Sequence, residues 1–128
     1  MRLLLDTHAF VWALAEPERL SAAARAAIAN PATDAYVSLA SAWELAILQG
    51  SGRVRSASSL ESIFSEGLAA LRIGLVSIQL AHVNRVAALP LRHRDPFDRL
   101  LIATALAEHL TIVTADRAFD QYAVSTLW

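Results

Sequence analysis

Residues 1–15 read MRLLLDTHAFVWALA: a short, uninterrupted apolar run ends at an acidic residue, and a helix-forming run follows. Residues 3–5 have the continuous hydrophobicity of a strand that is buried on both faces of a parallel sheet. Similar apolar or β-branched runs occur at residues 36–38, 75–78 and 112–114. Residues 124–127 favour a last short strand at the sheet edge. The pattern therefore predicts a parallel sheet of four to five strands.

Helix-forming stretches separate these strands. The predicted helices cover residues 9–15, 22–29, 39–49, 60–71, 81–88 and 97–109. Strands that alternate with helices are typical of an α/β domain. A chain of 128 residues with 55% hydrophobic content has the length of one ordinary domain and enough apolar side chains for one sizeable core. We therefore expect residues 1–128 to form a single α/β domain.

The composition excludes several classes of protein. The longest uncharged apolar stretch, residues 100–107, is far shorter than the roughly 20 residues that a helix needs to cross a bilayer, so we expect no membrane span. The absence of cysteine excludes disulfides and thiolate metal sites, and it favours cytoplasmic residence. A net charge of −1 argues against a broad basic surface for nucleic-acid binding. Because all 11 basic residues are arginine, mechanisms that need a lysine are excluded as well.

Isolated carboxylates lie at the edges of the most apolar segments, where an uncompensated charge is costly. They are Asp6, Glu44, Asp98 and Asp116. Asp6 and Asp116 lie just after two predicted strands, and ligands of parallel α/β sheets bind outside the carboxyl ends of strands. Asp98 at a helix start and Glu44 on the helix after the second strand can reach the same edge. Oxygen ligands without cysteine or a paired-histidine spacing favour Mg²⁺ or Mn²⁺ over zinc.

Three of these carboxylates also have a purely structural interpretation. Asp6 and Asp116 each precede a helix or turn and could be its N-cap. Asp98 lies in the first turn of a helix, where its charge is favourable to the helix dipole. Asp95 is the better cap for that helix because a proline follows it, which leaves Asp98 free to point out of the first turn.

Glu44 is the hardest of the four to explain structurally, because its helical neighbours include no arginine or histidine. Ser41 and Glu44 fit a capping box, which would place Glu44 at the third position of a helix. A helix that begins after Ser38 would instead place Glu44 inside an apolar helix, where it needs a cation from another part of the fold. The sequence leaves both interpretations open.

Rival acidic sites in α/β proteins require residues that this chain lacks. The phosphorylation chemistry of a receiver domain depends on a lysine, and a phosphate-binding P-loop needs Gly-x-x-x-x-Gly-Lys. A haloacid-dehalogenase-type phosphatase needs a second aspartate two residues after the first, where this chain has His8. No Gly-x-Ser-x-Gly motif supports a serine hydrolase. A divalent-metal site remains the favoured interpretation.

Four stretches together resemble the PIN-domain family, specifically its VapC-type toxin ribonucleases. They are LLDTHAFVW (residues 4–12), SLASAWELAI (38–47), HRDPFDRLLIATA (93–105) and TAD (114–116). Each motif is modest alone, but their order and spacing span nearly the whole chain. The resemblance implies a three-layer α/β/α fold with strand order 3-2-1-4-5. It also implies a Mg²⁺-dependent endoribonuclease that leaves 5′-phosphate and 3′-hydroxyl ends.

The resemblance assigns roles to individual residues. Asp6, Glu44, Asp98 and Asp116 match the four acids of the family in order, as catalytic residues and metal ligands. Thr114 matches the small hydroxyl residue near the last acid, and Thr7 follows the first; both are expected to orient carboxylates or metal-bound water. His8 and His93 are expected to be fold or loop contacts rather than ligands, since Mg²⁺ prefers oxygen.

The resemblance also implies partners. It predicts an RNA substrate, a cognate antitoxin of a type II toxin–antitoxin system, and a homodimer. Arg92, Arg94 and Arg99 flank Asp98 and are candidates to guide the RNA backbone, although a solvated loop explains them equally well. The alternatives to a toxin ribonuclease are a non-catalytic PIN-like interaction module, whose acids serve as helix caps, and a DNA nuclease with the same acidic chemistry.

Overall fold

The computed structural model of the protein describes residues 1–53 and 58–128. Its sheet has five strands, which pair in parallel in the order β3-β2-β1-β4-β5. The strands are β1 (Arg2–Leu5), β2 (Asp34–Ser38), β3 (Gly74–Val76), β4 (Thr111–Val113) and β5 (Thr126–Leu127). The predicted sheet and its strand order are thus confirmed, with the last short strand at the edge.

Helices cover both faces of the sheet, which confirms the three-layer α/β/α architecture. In the described ranges they are α1 (Thr7–Ala15), α2 (Ala22–Ala29), α3 (Leu39–Gly50), α4 (Leu60–Leu71), α5 (Leu80–Ala88) and α6 (Pro96–Glu108). Short 3-10 turns lie at Pro17–Arg19 and Arg117–Gln121. None of the described helices is long and apolar enough to span a membrane.

The continuous hydrophobicity of β1 reflects burial on both faces of the sheet. Leu3 and Leu5 pack on one side, where the core includes side chains of α1, α2, α3 and α4. Leu4 packs on the other side, against Leu101 and Ile102 of α6. Successive side chains of a strand point to opposite faces, so a central strand needs apolar residues at every position.

The helices of the site begin where short polar side chains cap them. Asp6 caps α1, Ser38 caps α3 and Asp95 caps α6, each by accepting a hydrogen bond from a backbone N–H group of the first turn. Side-chain oxygens at these positions satisfy N–H groups that have no partner within the helix. As a result, α1 and α3 begin directly after the carboxyl ends of β1 and β2, and Asp98 in the first turn of α6 lies close to Asp116, which follows β4.

Candidate metal centre

The candidate site lies at the carboxyl ends of β1 and β4, which are neighbours in the sheet. Leu5 is paired with Val113, and the backbone N–H of Asp6 donates to the carbonyl of Val113 over 3.1 Å. The chain segments that follow the two strands therefore leave the sheet side by side. This pairing brings Asp6 close to Thr114 and Asp116.

Asp6 is both a helix cap and a member of the acidic cluster. Its side chain is only 6% exposed, and its carboxylate accepts a hydrogen bond of 2.7 Å from the backbone N–H of Ala9. Burial raises the pKa of Asp6, and the nearby Asp116 raises it further, while hydrogen bonds from Thr114 and Ala9 and the charge of His8 act in the opposite direction. The two interpretations of Asp6 are thus compatible, since capping uses one oxygen and leaves the other.

Thr114 connects Asp6 with Asp116. Its side chain hydrogen-bonds the carboxylate of Asp6, and its hydroxyl oxygen accepts a 3.0 Å hydrogen bond from the backbone N–H of Asp116. The Asp116 carboxylate in turn accepts from the backbone N–H of Ala118 over 2.9 Å and caps the 3-10 turn that follows. Thr114 therefore contacts both the side chain of Asp6 and the backbone of Asp116, and its supporting role stays a prediction.

Asp98 contacts the imidazole of His93. One carboxylate oxygen of Asp98 lies 2.8 Å from Nε2 of His93. Burial raises the pKa of Asp98 to about 6, and the neighbouring carboxylates Asp95 and Glu44 also raise it, against the lowering effect of the His93 hydrogen bond. Asp95 accepts hydrogen bonds from the N–H groups of Phe97 and Asp98, as expected for the cap of α6. Asp98 is left free to face the cluster.

Glu44 lies in the second turn of α3, because the helix begins at Leu39 with Ser38 as its cap. The capping-box interpretation of Ser41 and Glu44 is therefore wrong. Glu44 is partly buried and close enough to Asp98 to raise the pKa of that carboxyl. Among residues 1–53 and 58–128, no arginine or histidine forms a salt bridge with Glu44. A cation supplied at the site would compensate its charge.

His93 lies close to Asp98 and Asp116, although the sequence pattern predicts a loop contact rather than a ligand. A ring nitrogen of His93 and carboxylate oxygens of Asp98 and Asp116 all lie within 4.8 Å of one another, close enough to hold one metal ion. From the sequence, His93 is expected to be a loop contact because Mg²⁺ prefers oxygen ligands. Its position five residues before Asp98 was the available signal, but local spacing does not show how a loop folds back on a helix.

Two predicted residues have other partners than expected. The hydroxyl of Thr7 donates to the hydroxyl oxygen of Ser41 over 2.9 Å, so Thr7 ties α1 to α3 and does not orient a carboxylate directly. The guanidinium of Arg99 donates to backbone carbonyls and to the Tyr122 hydroxyl, which makes it a structural residue rather than a free phosphate contact. Arg92 and Arg94 are exposed in the loop before α6.

The donor set fits a hard divalent cation. Carboxylates gather at one sheet edge, and no salt bridge to a basic residue other than His93 compensates them within the described part of the chain. The raised pKa values of Asp6 and Asp98 show that ionising both groups is costly in the protein alone. Mg²⁺ and Mn²⁺ are bound by carboxylates of this kind. A bound ion would remove the mutual repulsion of the carboxylates.

Comparison with known proteins agrees with this architecture. The model of the PIN domain family matches residues 3–125. The chain belongs to the PIN domain family. Ribonuclease VapC22 of Mycobacterium tuberculosis (strain ATCC 25618 / H37Rv) is 37% identical to this PIN domain over 116 residues, which cover 90% of this chain and 87% of the relative. The resemblance to VapC-type PIN domains is thereby confirmed.

Solved structures share the fold of this PIN domain at low sequence identity. VapBC2 from Rickettsia felis, bound to a promoter DNA fragment, contains a chain with a TM-score of 0.73 and 18% identity, matched over 99% of this chain and 98% of that one. A toxin-antitoxin complex from Klebsiella pneumoniae gives a TM-score of 0.68 and 16% identity, over 98% and 96% of the two chains. FitAcB from Neisseria gonorrhoeae gives a TM-score of 0.63 and 20% identity, over 98% of this chain and 96% of that one.

Proposed function

We propose that this PIN domain is a Mg²⁺-dependent endoribonuclease and the toxin component of a type II toxin–antitoxin module. The observation that carries the proposal is the close approach of Asp98 and Asp116, with Asp6 near Asp116 and Glu44 near Asp98. The relative that is 37% identical is named a ribonuclease, which supports nuclease activity on RNA. Structural neighbours from toxin–antitoxin complexes support the biological setting through their fold.

In the proposed reaction the four carboxylates, Asp6, Glu44, Asp98 and Asp116, would hold one or two Mg²⁺ ions, or Mn²⁺ in their place. When bound, such an ion lowers the pKa of a water molecule and neutralises charge on the phosphate undergoing in-line attack. The backbone N–H of Ala9 and the side chain of Thr114 keep the Asp6 carboxylate in place. Because burial raises the pKa of Asp98 to about 6, a small fraction of this carboxyl is still protonated at neutral pH, and that proton would leave when a cation binds.

The RNA backbone would be guided by Arg92 and Arg94. Both side chains are exposed in the loop that carries His93, next to the acidic cluster. Arginine recognises phosphate through its planar fork of N–H donors, and such contacts position a strand without reading its sequence. Arg99 is not part of this set, since its N–H groups are engaged by protein oxygens.

Two apolar surfaces suit the proposed protein partners. A groove of ≈ 470 Å³ between α1, α3 and α4 has a mainly apolar lining that includes Val11, Leu14 and Ile63, and it would accept an apolar segment of the cognate antitoxin. Leu39, Trp43 and Ile47 form an exposed stripe along α3 at helical spacing. We assign this stripe to the homodimer, since exposed apolar patches often mark interfaces.

The test compares RNA cleavage by the purified wild type with Asp6→Asn and Asp98→Asn. Each substitution removes a negative ligand, so Mg²⁺-dependent cleavage should fall by about 10²-fold or more. Asp120→Asn, at an exposed carboxylate outside the cluster, should retain full activity. Unchanged cleavage by either cluster variant would contradict the proposal that these carboxylates form the catalytic site.

The substrate is tested with single-stranded RNA and DNA of the same sequence, each with Mg²⁺ and with EDTA. The proposal expects Mg²⁺-dependent cleavage of RNA. Faster cleavage of DNA would replace it with the DNA-nuclease alternative. Absence of both cleavage and Mn²⁺ binding would instead support the alternative of a non-catalytic interaction module.

A further inference from the structure

The loop between α5 and α6 is fixed by the hydroxyl of Tyr122, a largely buried residue. Its oxygen accepts hydrogen bonds from the backbone N–H groups of Arg92 and His93, over 3.1 and 2.9 Å. The guanidinium of Arg99 donates to the same oxygen over 3.1 Å. Tyr122 thereby holds the backbone of His93 in a defined position relative to α6.

Arg99 fixes the other half of the same loop. Its guanidinium donates to the carbonyl oxygens of Val86 and Pro90, over 3.1 and 3.0 Å, and to that of Leu89 over 3.5 Å. Arg99 directly follows Asp98 on the first turns of α6. The loop that carries His93 is therefore tied by hydrogen bonds to the helix turn that carries Asp98.

The imidazole of His93 lies close to two carboxylates. Nε2 lies 2.8 Å from an oxygen of Asp98, and the ring packs near Phe119 at a centroid distance of 6.4 Å. A ring nitrogen also lies within 4.8 Å of an oxygen of Asp116, which comes from the end of β4. A histidine that only oriented Asp98 would not need to approach Asp116.

We infer that His93 supplies a nitrogen ligand to the divalent ion, beside the carboxylates. This inference rests on the proposed function. Neighbouring ligands in an octahedron with bonds of about 2.1 Å lie roughly 3 Å apart. In the metal-free protein the 2.8 Å contact between Nε2 of His93 and Asp98 is a hydrogen bond, and its length is also close to the spacing of two ligands of one ion.

A nitrogen ligand changes the metal preference of the site. Imidazole binds transition ions such as Mn²⁺ better than it binds Mg²⁺, whereas carboxylates serve both. The affinity ratio of Mn²⁺ over Mg²⁺ should therefore fall in His93→Gln, by about tenfold, the lower end of the loss seen when partners of a metal site are removed. The fall should come from weaker Mn²⁺ binding. Calorimetric titration of the metal-free protein with each ion measures the ratio.

The decisive measurement is pulsed electron paramagnetic resonance of Mn²⁺ bound to the full chain. A coordinated imidazole gives nitrogen modulation of the Mn²⁺ signal, which all-oxygen ligation does not. We expect this modulation in the wild type and its loss in His93→Gln. His8→Gln is the matched control, because His8 is exposed and near enough to Asp6 to affect its pKa, so its modulation should persist.

Each outcome bears on a different claim. Bound Mn²⁺ without nitrogen modulation in the wild type would overturn the ligand inference and leave the proposed function intact, and this result needs no variant to fold. Modulation that persists in His93→Gln, or disappears in His8→Gln, would also overturn it. Failure of the wild type to bind Mn²⁺ at all would overturn the proposed function together with the inference.

Discussion

Asp98 combines partial burial with two carboxylate neighbours, Asp95 and Glu44. Each of these features favours the protonated form, and only His93 favours the charged one. A carboxylic acid whose pKa rises in the folded state is a source of instability above its ordinary pKa. The cluster therefore lowers the stability of the metal-free protein in exchange for a place to bind a cation, a trade-off that is common at functional sites.

Substitution of Asp98 by asparagine should stabilise the metal-free protein near neutral pH. The folded state keeps a proton on Asp98 up to pH about 6, whereas the unfolded chain releases it near pH 3.8. The free energy of unfolding therefore falls as pH rises between these two values. At pH 7 in EDTA, Asp98→Asn should raise Tm by about 4 °C, roughly the effect of 1 kcal/mol in a domain of this size. The gain should vanish below pH 4. Asp120→Asn should show no such pH-dependent gain, and an equal or lower Tm for Asp98→Asn at pH 7 would contradict the prediction.

At the scale of elements, α3 determines where Glu44 lies. The helix begins directly at the end of β2, because the buried hydroxyl of Ser38 accepts a 3.0 Å hydrogen bond from the backbone N–H of Ala40. This start places Glu44 in the second turn and sets the packing of Trp43 against Phe97 of α6, with ring centroids 5.0 Å apart. This cap thus fixes the helix start that brings Glu44 near Asp98.

Loss of this cap should weaken both the fold and the site. Ser38→Ala leaves the N–H of Ala40 without its side-chain acceptor, which should lower the free energy of unfolding by about 1 kcal/mol. Urea denaturation measures the change. Ser21→Ala, which removes the equivalent cap of α2, should cost a similar amount but leave Mn²⁺ affinity unchanged, whereas Ser38→Ala should reduce it. Equal Mn²⁺ affinity in both variants would contradict the prediction that the Ser38 cap positions the site.

At the scale of the whole molecule, the sheet supplies stability that does not depend on a metal. Both faces of β1 are buried in apolar cores, with Leu3, Leu4 and Leu5 fully inaccessible. Burial of that kind is the dominant favourable contribution to folding. The protein should therefore stay folded without a metal, unlike small domains that need an ion to fold.

Mg²⁺ should nevertheless raise the thermal stability of the wild type. An ion that binds only the folded state stabilises it by about 2.7 kcal/mol at a concentration 100 times its Kd, which corresponds to a Tm increase of roughly 10 °C. Differential scanning calorimetry with Mg²⁺ and with EDTA measures the shift. Asp98→Asn should show little or none of it. Unfolding of the wild type by EDTA at 25 °C would contradict the metal-independent core.

The exposed stripe on α3 bears on assembly. Trp43 and Ile47 are 59% and 48% exposed, and a two-fold interface would bury them against the same helix of a second copy. Ile47→Glu should convert the proposed dimer into a monomer, as measured by light scattering after size exclusion. Leu80→Glu, at an 83% exposed position outside the stripe, should leave the dimer intact. A monomeric wild type, or a dimeric Ile47→Glu variant, would contradict this interface.

Much of the fold follows from local patterns in the sequence. Apolar runs and helix-forming stretches predict the observed strands and helices within two residues at their ends, since hydrophobic periodicity and caps act over short distances. The order of the strands came from the family resemblance and is confirmed by the sheet. The four carboxylates were also chosen from sequence, because charges beside apolar runs are costly, and their role as ligands stays a prediction.

Tertiary structure decided the partners of the other polar residues. Thr7 reaches Ser41 on another helix. The hydroxyl of Tyr122 accepts hydrogen bonds from Arg99 and from the backbone N–H of His93, which lies 29 residues earlier in the chain. No local spacing encodes such contacts, because they depend on the path of the α5–α6 loop across the sheet edge. The sequence thus determined which elements form and which carboxylates lie beside apolar segments, whereas only the packing of distant segments placed the imidazole of His93 close to both Asp98 and Asp116.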